Sequence, residues 1–137
     1  MRNAKSTLCY QWFNEVWNQQ NCNAIERLMA PNGIAHGLPD EPTGPAAFKT
    51  FFDSFNSQYK DIDIVVEDVI SEDDMEVART TVNLTDRASD TKVSFSGICI
   101  VRVENGQIAE AWNCYDFLNM YQQLGYKLSS TEEISAN

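Results

Sequence analysis

The sequence holds one histidine, His36, and four cysteines, Cys9, Cys22, Cys99 and Cys114, none of them in a Cys-x-x-Cys pair. With one histidine and no recognisable ligand spacing, no metal centre is expected. Basic side chains are scarce as well: ten Lys and Arg stand against twenty Asp and Glu, for a formal charge of −10. So acidic a surface repels phosphate backbones and anionic lipid, which removes nucleic acid and membranes from the expected partners. No apolar run approaches membrane-spanning length, and the opening residues lack the basic-then-apolar order of an export signal. The expectation is a cytoplasmic protein whose thiols are reduced and mostly buried.

What is present is ordinary globular composition in 137 residues, enough to bury one core without staples. No repeat or linker interrupts the chain, so one domain over residues 1–128 is expected, with a polar tail over 129–137. Part of the negative charge is concentrated. Residues 61–76 carry eight acids (Asp61, Asp63, Glu67, Asp68, Glu72, Asp73, Asp74 and Glu76) and no Lys or Arg. They read as a solvated strand face and turn, which also discourages edge-to-edge aggregation.

Leu8, Trp12, Phe13, Val16 and Trp17 recur at three- and four-residue steps, the stripe of a helix packed on something large. Asn23-Ala24-Ile25-Glu26 has the form of a capping box, with a short helix ended by Pro31-Asn32-Gly33. Residues 34–38 read as a short extended piece carrying His36. Thr43-Gly44-Pro45 opens a third helix, striped by Phe48, Phe51, Phe52, Phe55 and Tyr59. From residue 62 the period falls to two, giving strands over 62–70, 75–84, 92–103 and 107–115. Asn105-Gly106 marks the last hairpin. A final helix over 117–124 stops at Gly125. Three helices followed by an antiparallel meander define an α+β plan, in which the helices alone can cover the buried face of the sheet. Long, twisted strands curl around the first helix and leave a small, largely apolar pocket.

The order of elements resembles the nuclear-transport-factor-2-like cone, the cystatin-like roll of a curved antiparallel sheet around N-terminal helices. The segment Arg102-Val103-Glu104-Asn105-Gly106-Gln107-Ile108-Ala109-Glu110-Ala111-Trp112-Asn113-Cys114-Tyr115-Asp116 looks more narrowly like the signature of SnoaL-like polyketide cyclases. Met120-Tyr121-Gln122-Gln123-Leu124-Gly125 continues it, with Trp17-Asn18 and Gly44-Pro45 as weaker echoes. Residues 83–92 depart from the pattern: the Gly-Thr-His stretch and longer loop common in the family are missing there.

The resemblance implies Asp116 as the acid/base of an intramolecular aldol ring closure, run without a cofactor on a small carbonyl compound. A carboxylate in an apolar pocket suits that shuttle. The same residue directly precedes the last helix, where Asp is a good N-cap. His36, placed where isomerases of the superfamily carry their base, is either a structural histidine or a partner to Asp116 across the pocket. Arg79 and Arg102 interrupt apolar strands. Facing inward they would have to be paired and could anchor a carboxylate or enolate; facing outward they are solvated. Tyr10, Trp12, Trp17, Trp112 and Tyr115 are core candidates first and pocket-wall candidates second, since aromatic walls and aromatic cores have the same pattern.

Three functions remain open at this point. The first is a cyclase- or isomerase-type enzyme using Asp116 and His36. The second is another enzyme of the fold. An epoxide-hydrolase arrangement would use Arg79 but finds Thr81 and Cys114 at its acidic places, and a ketosteroid-isomerase arrangement finds Cys99 at its donor place. The third is a module that binds a small hydrophobic molecule without changing it. By resemblance, pairing of two chains through the outer sheet face is expected.

Overall fold

The computed structural model describes residues 4–130. Most of the expected polar tail lies outside the described residues. After a single 3₁₀ turn, α1 runs over Leu8–Gln11 and continues as a π-helix over Trp12–Asn18; α2 spans Asn23–Leu28. Strand β1 spans Met29–His36 and α3 spans Gly44–Gln58. The strands β2 (Tyr59–Glu72), β3 (Met75–Asp86), β4 (Lys92–Glu104) and β5 (Gln107–Tyr115) follow, and α4 (Phe117–Gln123) ends the fold. No helix among the described residues is long and apolar enough to cross a membrane.

The sheet order is β1-β5-β4-β3-β2. The meander β2 to β5 is antiparallel, as its period-two pattern predicts, whereas β1 runs parallel to β5. That strand is longer than the sequence suggests. Pro31-Asn32-Gly33, read as a helix stop, lies inside β1 where its register slips against β5. Further slips occur at 60–63 and 66–68 in β2 and at 102–103 in β4. Each bulge bends its strand and adds right-handed twist, so the sheet curls into a cone.

Alternation decides which residues enter the cone. On β3, Glu76, Ala78, Thr80, Val82 and Leu84 are buried while Arg79 is exposed between them. On β5, Ala111, Asn113 and Tyr115 share the inner face, and Glu110, Trp112 and Cys114 the outer one. The concave face is roofed by the aromatic stripes of the first helical run and α3. Trp17 lies 5.1 Å from Phe52 and 5.4 Å from Phe55, centroid to centroid, while Trp12 meets Phe48 edge-on at 4.8 Å. Such edge and tilted pairs add about 0.5–1.5 kcal/mol each beyond the area they bury.

The π-helical turn is closed by Gln19 N–H donating to the Asn14 carbonyl, five residues back, at 2.9 Å. Asn18 at its end imitates a neighbouring strand. Its amide donates to the Ile64 carbonyl at 2.9 Å and its oxygen accepts from Ile64 N–H at 2.6 Å, which fastens the helix to the edge strand β2. Two local expectations need correction. The capping box does not form: Asn23 donates to the Asn21 side chain, and Glu26 is drawn away to Lys49 at 2.6 Å. Glu76 is no solvated acid: only 2% of it is exposed, and it accepts hydrogen bonds from the Leu8 and Cys9 amides at 3.2 and 2.9 Å. It satisfies amides that the first turn of α1 leaves without intrahelical acceptors.

Candidate functional site

The cone holds an apolar cavity that is partly open to solvent. Its walls come from every layer: Trp12, Phe13 and Trp17 from the first helical run, Phe48, Phe51 and Phe55 from α3, and Phe95, Cys99 and Val101 from β4. Phe117 of α4 and Leu38 of the β1–α3 loop stand at the open end. Among the described residues, no charged side chain lines it. The few polar groups gather along β5 and behind it: Asn113, Tyr115, Cys99 and Cys9.

Tyr115 reaches this position because residue 97 is glycine. Gly97 is its register partner on β4, and a Cβ there would stand 2.2 Å from Tyr115 Cδ1. The ring packs against Phe117 at 5.7 Å and edge-on to Phe95 at 6.5 Å. Its hydroxyl has no hydrogen-bond partner among the described residues and is not sealed from the cavity. Burial first, then the Cys99 and Cys9 thiols, push its pKa well up. Cys9 is pushed up too, chiefly by its hydrogen bond with Cys99 and then by burial. At neutral pH these groups therefore stay protonated and act as donors rather than bases. Asn113 donates its amide to the His36 carbonyl at 2.9 Å, which leaves the side-chain oxygen as an acceptor in the wall.

Of the residues singled out from sequence, Trp12, Trp17 and Tyr115 line this cavity. Asp116 stands at its rim between two lining residues. The carboxylate is exposed and caps α4 by accepting from Asn119 N–H at 3.1 Å, while its own N–H donates to the Ser96 carbonyl. Tyr10 is outside the wall, its N–H bonded to the Thr7 hydroxyl. Arg79 takes the outward of its two alternatives. It is exposed on the outer face, where Nε and Nη2 grip Asp68 at 3.1 and 2.8 Å. Arg102 also faces out and pairs with Glu104 at 3.0 Å and Glu110 at 3.6 Å. Trp112 lies on that face too, 38% exposed and stacked on His36 at 5.8 Å.

His36 and Asp116 are not brought together. His36 pairs in register with Trp112, four positions before Asp116 on β5, or about 13 Å along an extended strand. Both imidazole nitrogens are occupied by carboxylates: Nε2 meets Glu110 at 2.7 Å and Nδ1 meets Glu41 at 3.2 Å. Glu110 first and Glu41 second raise the His36 pKa above its ordinary value, and His36, then Arg102, lowers that of Glu110. The sign follows from linkage. The raised histidine contributes stability below its unfolded value near ~6.5, lost as pH rises through the higher folded value; the lowered Glu110 contributes above about 4.3 and is lost in acid. The advantage of the wild type over His36→Gln should therefore be greatest near pH ~5–6 and shrink toward pH ~9, read by thermal unfolding at each pH. A pH-independent difference would detach the histidine from the stability of this loop.

The SnoaL-like polyketide cyclase family model matches residues 7–124, and the chain belongs to that family. Solved structures agree on the cone. TsrD from Streptomyces laurentii is 22% identical, with a TM-score of 0.80, covering 91% of this chain and 97% of that one. A candidate polyketide cyclase from Bacillus cereus ATCC 10987 is 28% identical, with a TM-score of 0.74, over 86% and 78%. A Catenulispora acidiphila protein with a ketosteroid isomerase-like fold is 14% identical, with a TM-score of 0.80, over 89% and 95%. No curated protein matches significantly.

Sequence reading passed over Asn113, Cys9 and the α3 phenylalanines as wall residues. Strand parity held the signal for Asn113: it lies two positions from Tyr115, whereas Trp112 lies three away and must face oppositely.

Proposed function

We propose that this chain binds a small, mostly apolar, carbonyl-bearing molecule in the cone and promotes an aldol-type ring closure or isomerisation there. The observation that carries the reading is the Tyr115 hydroxyl, a protonated donor without a partner among the described residues, in an aromatic wall. It would donate to the ligand carbonyl, with the Asn113 oxygen accepting from a ligand hydroxyl. The aromatic walls hold the chain of the ligand folded, which lowers the entropic part of a cyclisation barrier. Asp116 at the rim is the proton carrier in this reading, moving from cap to base as the ligand enters.

The test uses a neutral aryl ketone. Tyr115→Phe should weaken its binding about tenfold, the worth of one hydrogen bond in a dry site. The infrared carbonyl band of the bound ketone should shift back toward its free position in that variant. With a 1,5-diketone, Asp116→Asn should abolish ring closure while leaving binding intact; undiminished turnover would remove Asp116 from the reaction.

One observation favours a second reading, binding without catalysis: the Asp116 carboxylate is exposed and already engaged as a cap. A ketone held tightly and released unchanged, insensitive to Asp116→Asn, decides for it. Pairing of two chains through the outer face belongs to either reading, with Ile98 and Trp112 as its exposed apolar centre. Sedimentation equilibrium reads this directly, and a monomer at every concentration rejects it.

A further inference from the structure

Beside the cavity lies a groove between the 37–43 loop, α3 and α4. Phe51, Phe55 and Phe117 line both spaces, so the two adjoin at these rings. The two spaces differ in chemistry. The cavity has no charged lining, and an unpaired charge is too costly to bring into it. A charge carried by the ligand must therefore remain in the groove.

What the groove offers is one-sided. Among the described residues, its lining includes Asp40 and Glu41 and no Lys or Arg. Glu41 is held by His36, while Asp40, exposed, has no ion-pair partner among the described residues. Tyr59 and Tyr121 join the three phenylalanines, so the groove that holds the carboxylate is also lined by five aromatic rings. Aromatic faces attract cations and repel anions, and the net charge of −10 raises the local concentration of cations. The capped N-terminus of α4, where an anion would otherwise be favoured, is already taken by Asp116.

We propose that this groove is a second subsite, taking a protonated amine carried by the ligand whose apolar body fills the cone. The proposal deepens the function proposed above and rests on it for the body of the ligand. The chemical class is an amphipathic amine: an apolar, ring-containing body with an ammonium group a few bonds from its end.

Calorimetric titration with three probes sharing one ring tests it: 1-naphthylmethylammonium, 1-naphthylmethanol and 1-naphthylacetate. The ammonium should bind about tenfold more tightly than the carboxylate, with the alcohol between them and the spread shrinking in high salt. Asp40→Asn should remove most of that preference. Asp73→Asn, in the β2–β3 turn outside the groove, deletes the same charge and should leave the preference in place. Equal binding of cation and anion, or a preference untouched by Asp40→Asn, overturns the subsite. Failure of the neutral alcohol to bind, with the ammonium bound, overturns the cone reading and spares the groove. No binding by any probe removes both.

Discussion

Glu76→Ala should destabilise the protein by about 2–4 kcal/mol, because it leaves one buried and one part-buried amide without their acceptor. For a chain of this size that corresponds to a fall of roughly 10 °C in Tm. The carboxylate belongs to β3 and the amides of Leu8 and Cys9 to α1, so the interaction joins the first helical run to the sheet it roofs. Glu76→Gln separates charge from acceptor count: its carbonyl oxygen can serve one amide, while its NH2 group opposes the other. The glutamine variant should fall between wild type and alanine. Hydrogen exchange gives the local readout, since the Leu8 and Cys9 amides should lose protection in the alanine variant before the rest of the core. A loss below about 0.5 kcal/mol, with those amides still protected, would falsify the assignment of Glu76 as the anchor of α1.

Glu76 also shows where sequence reading stops. The strand MEVARTTVNL announces its period: parity groups Arg79, Thr81 and Asn83 on one face, and the fold turns that face outward. The same parity sends Glu76 inward with Ala78 and Thr80, yet a carboxylate among seven other acids reads as solvated. Its acceptor role is set by amides 67 and 68 residues upstream, which no local window contains. His36 is a parallel case: its partner Glu110 is 74 residues away. Segments whose structure is decided by their own neighbours were legible. Asn105-Gly106, with φ of 54° and 76°, supplies the left-handed pair that a tight two-residue hairpin demands. Thr43-Gly44-Pro45 opens α3 and Gly125, at φ 96°, ends α4. The Asn23–Glu26 box was local too, but it lost to a tertiary contact when Lys49 of α3 took the Glu26 carboxylate.

For the site, the signature that betrays the family holds more than its conspicuous letters. Trp112 and Asp116 are its most recognisable letters, yet the cavity wall on β5 is built from the residues between and beside them, Ala111, Asn113 and Tyr115. Trp112 stacks on His36 outside the cone, beside the ion pairs that tie the 37–43 loop to β5. The polar chemistry inside is consequently sparse and neutral. This favours ligands recognised by shape and one or two hydrogen bonds.

Gly97→Ala tests that arrangement at its tightest point. A methyl group at 97 would stand 2.2 and 2.5 Å from Tyr115 Cδ1 and Cε1, so the ring must leave its place against β4. The ring cannot yield freely, because Phe95 and Phe117 hold it from two sides. Overpacking of this kind costs about 1–3 kcal/mol of stability. Binding of the aryl ketone should fall by about a hundredfold, more than in Tyr115→Phe, because the displaced ring withdraws its hydroxyl and narrows the cavity together. The double variant Gly97→Ala/Tyr115→Ala supplies the decisive comparison. If the methyl acts only by expelling the ring, it costs little once the ring is gone, and the cycle should show a coupling of at least about 1 kcal/mol. Strictly additive losses would mean that Gly97 is required by the backbone of β4 instead. Tyr115 would then owe its position to the aromatic cluster alone.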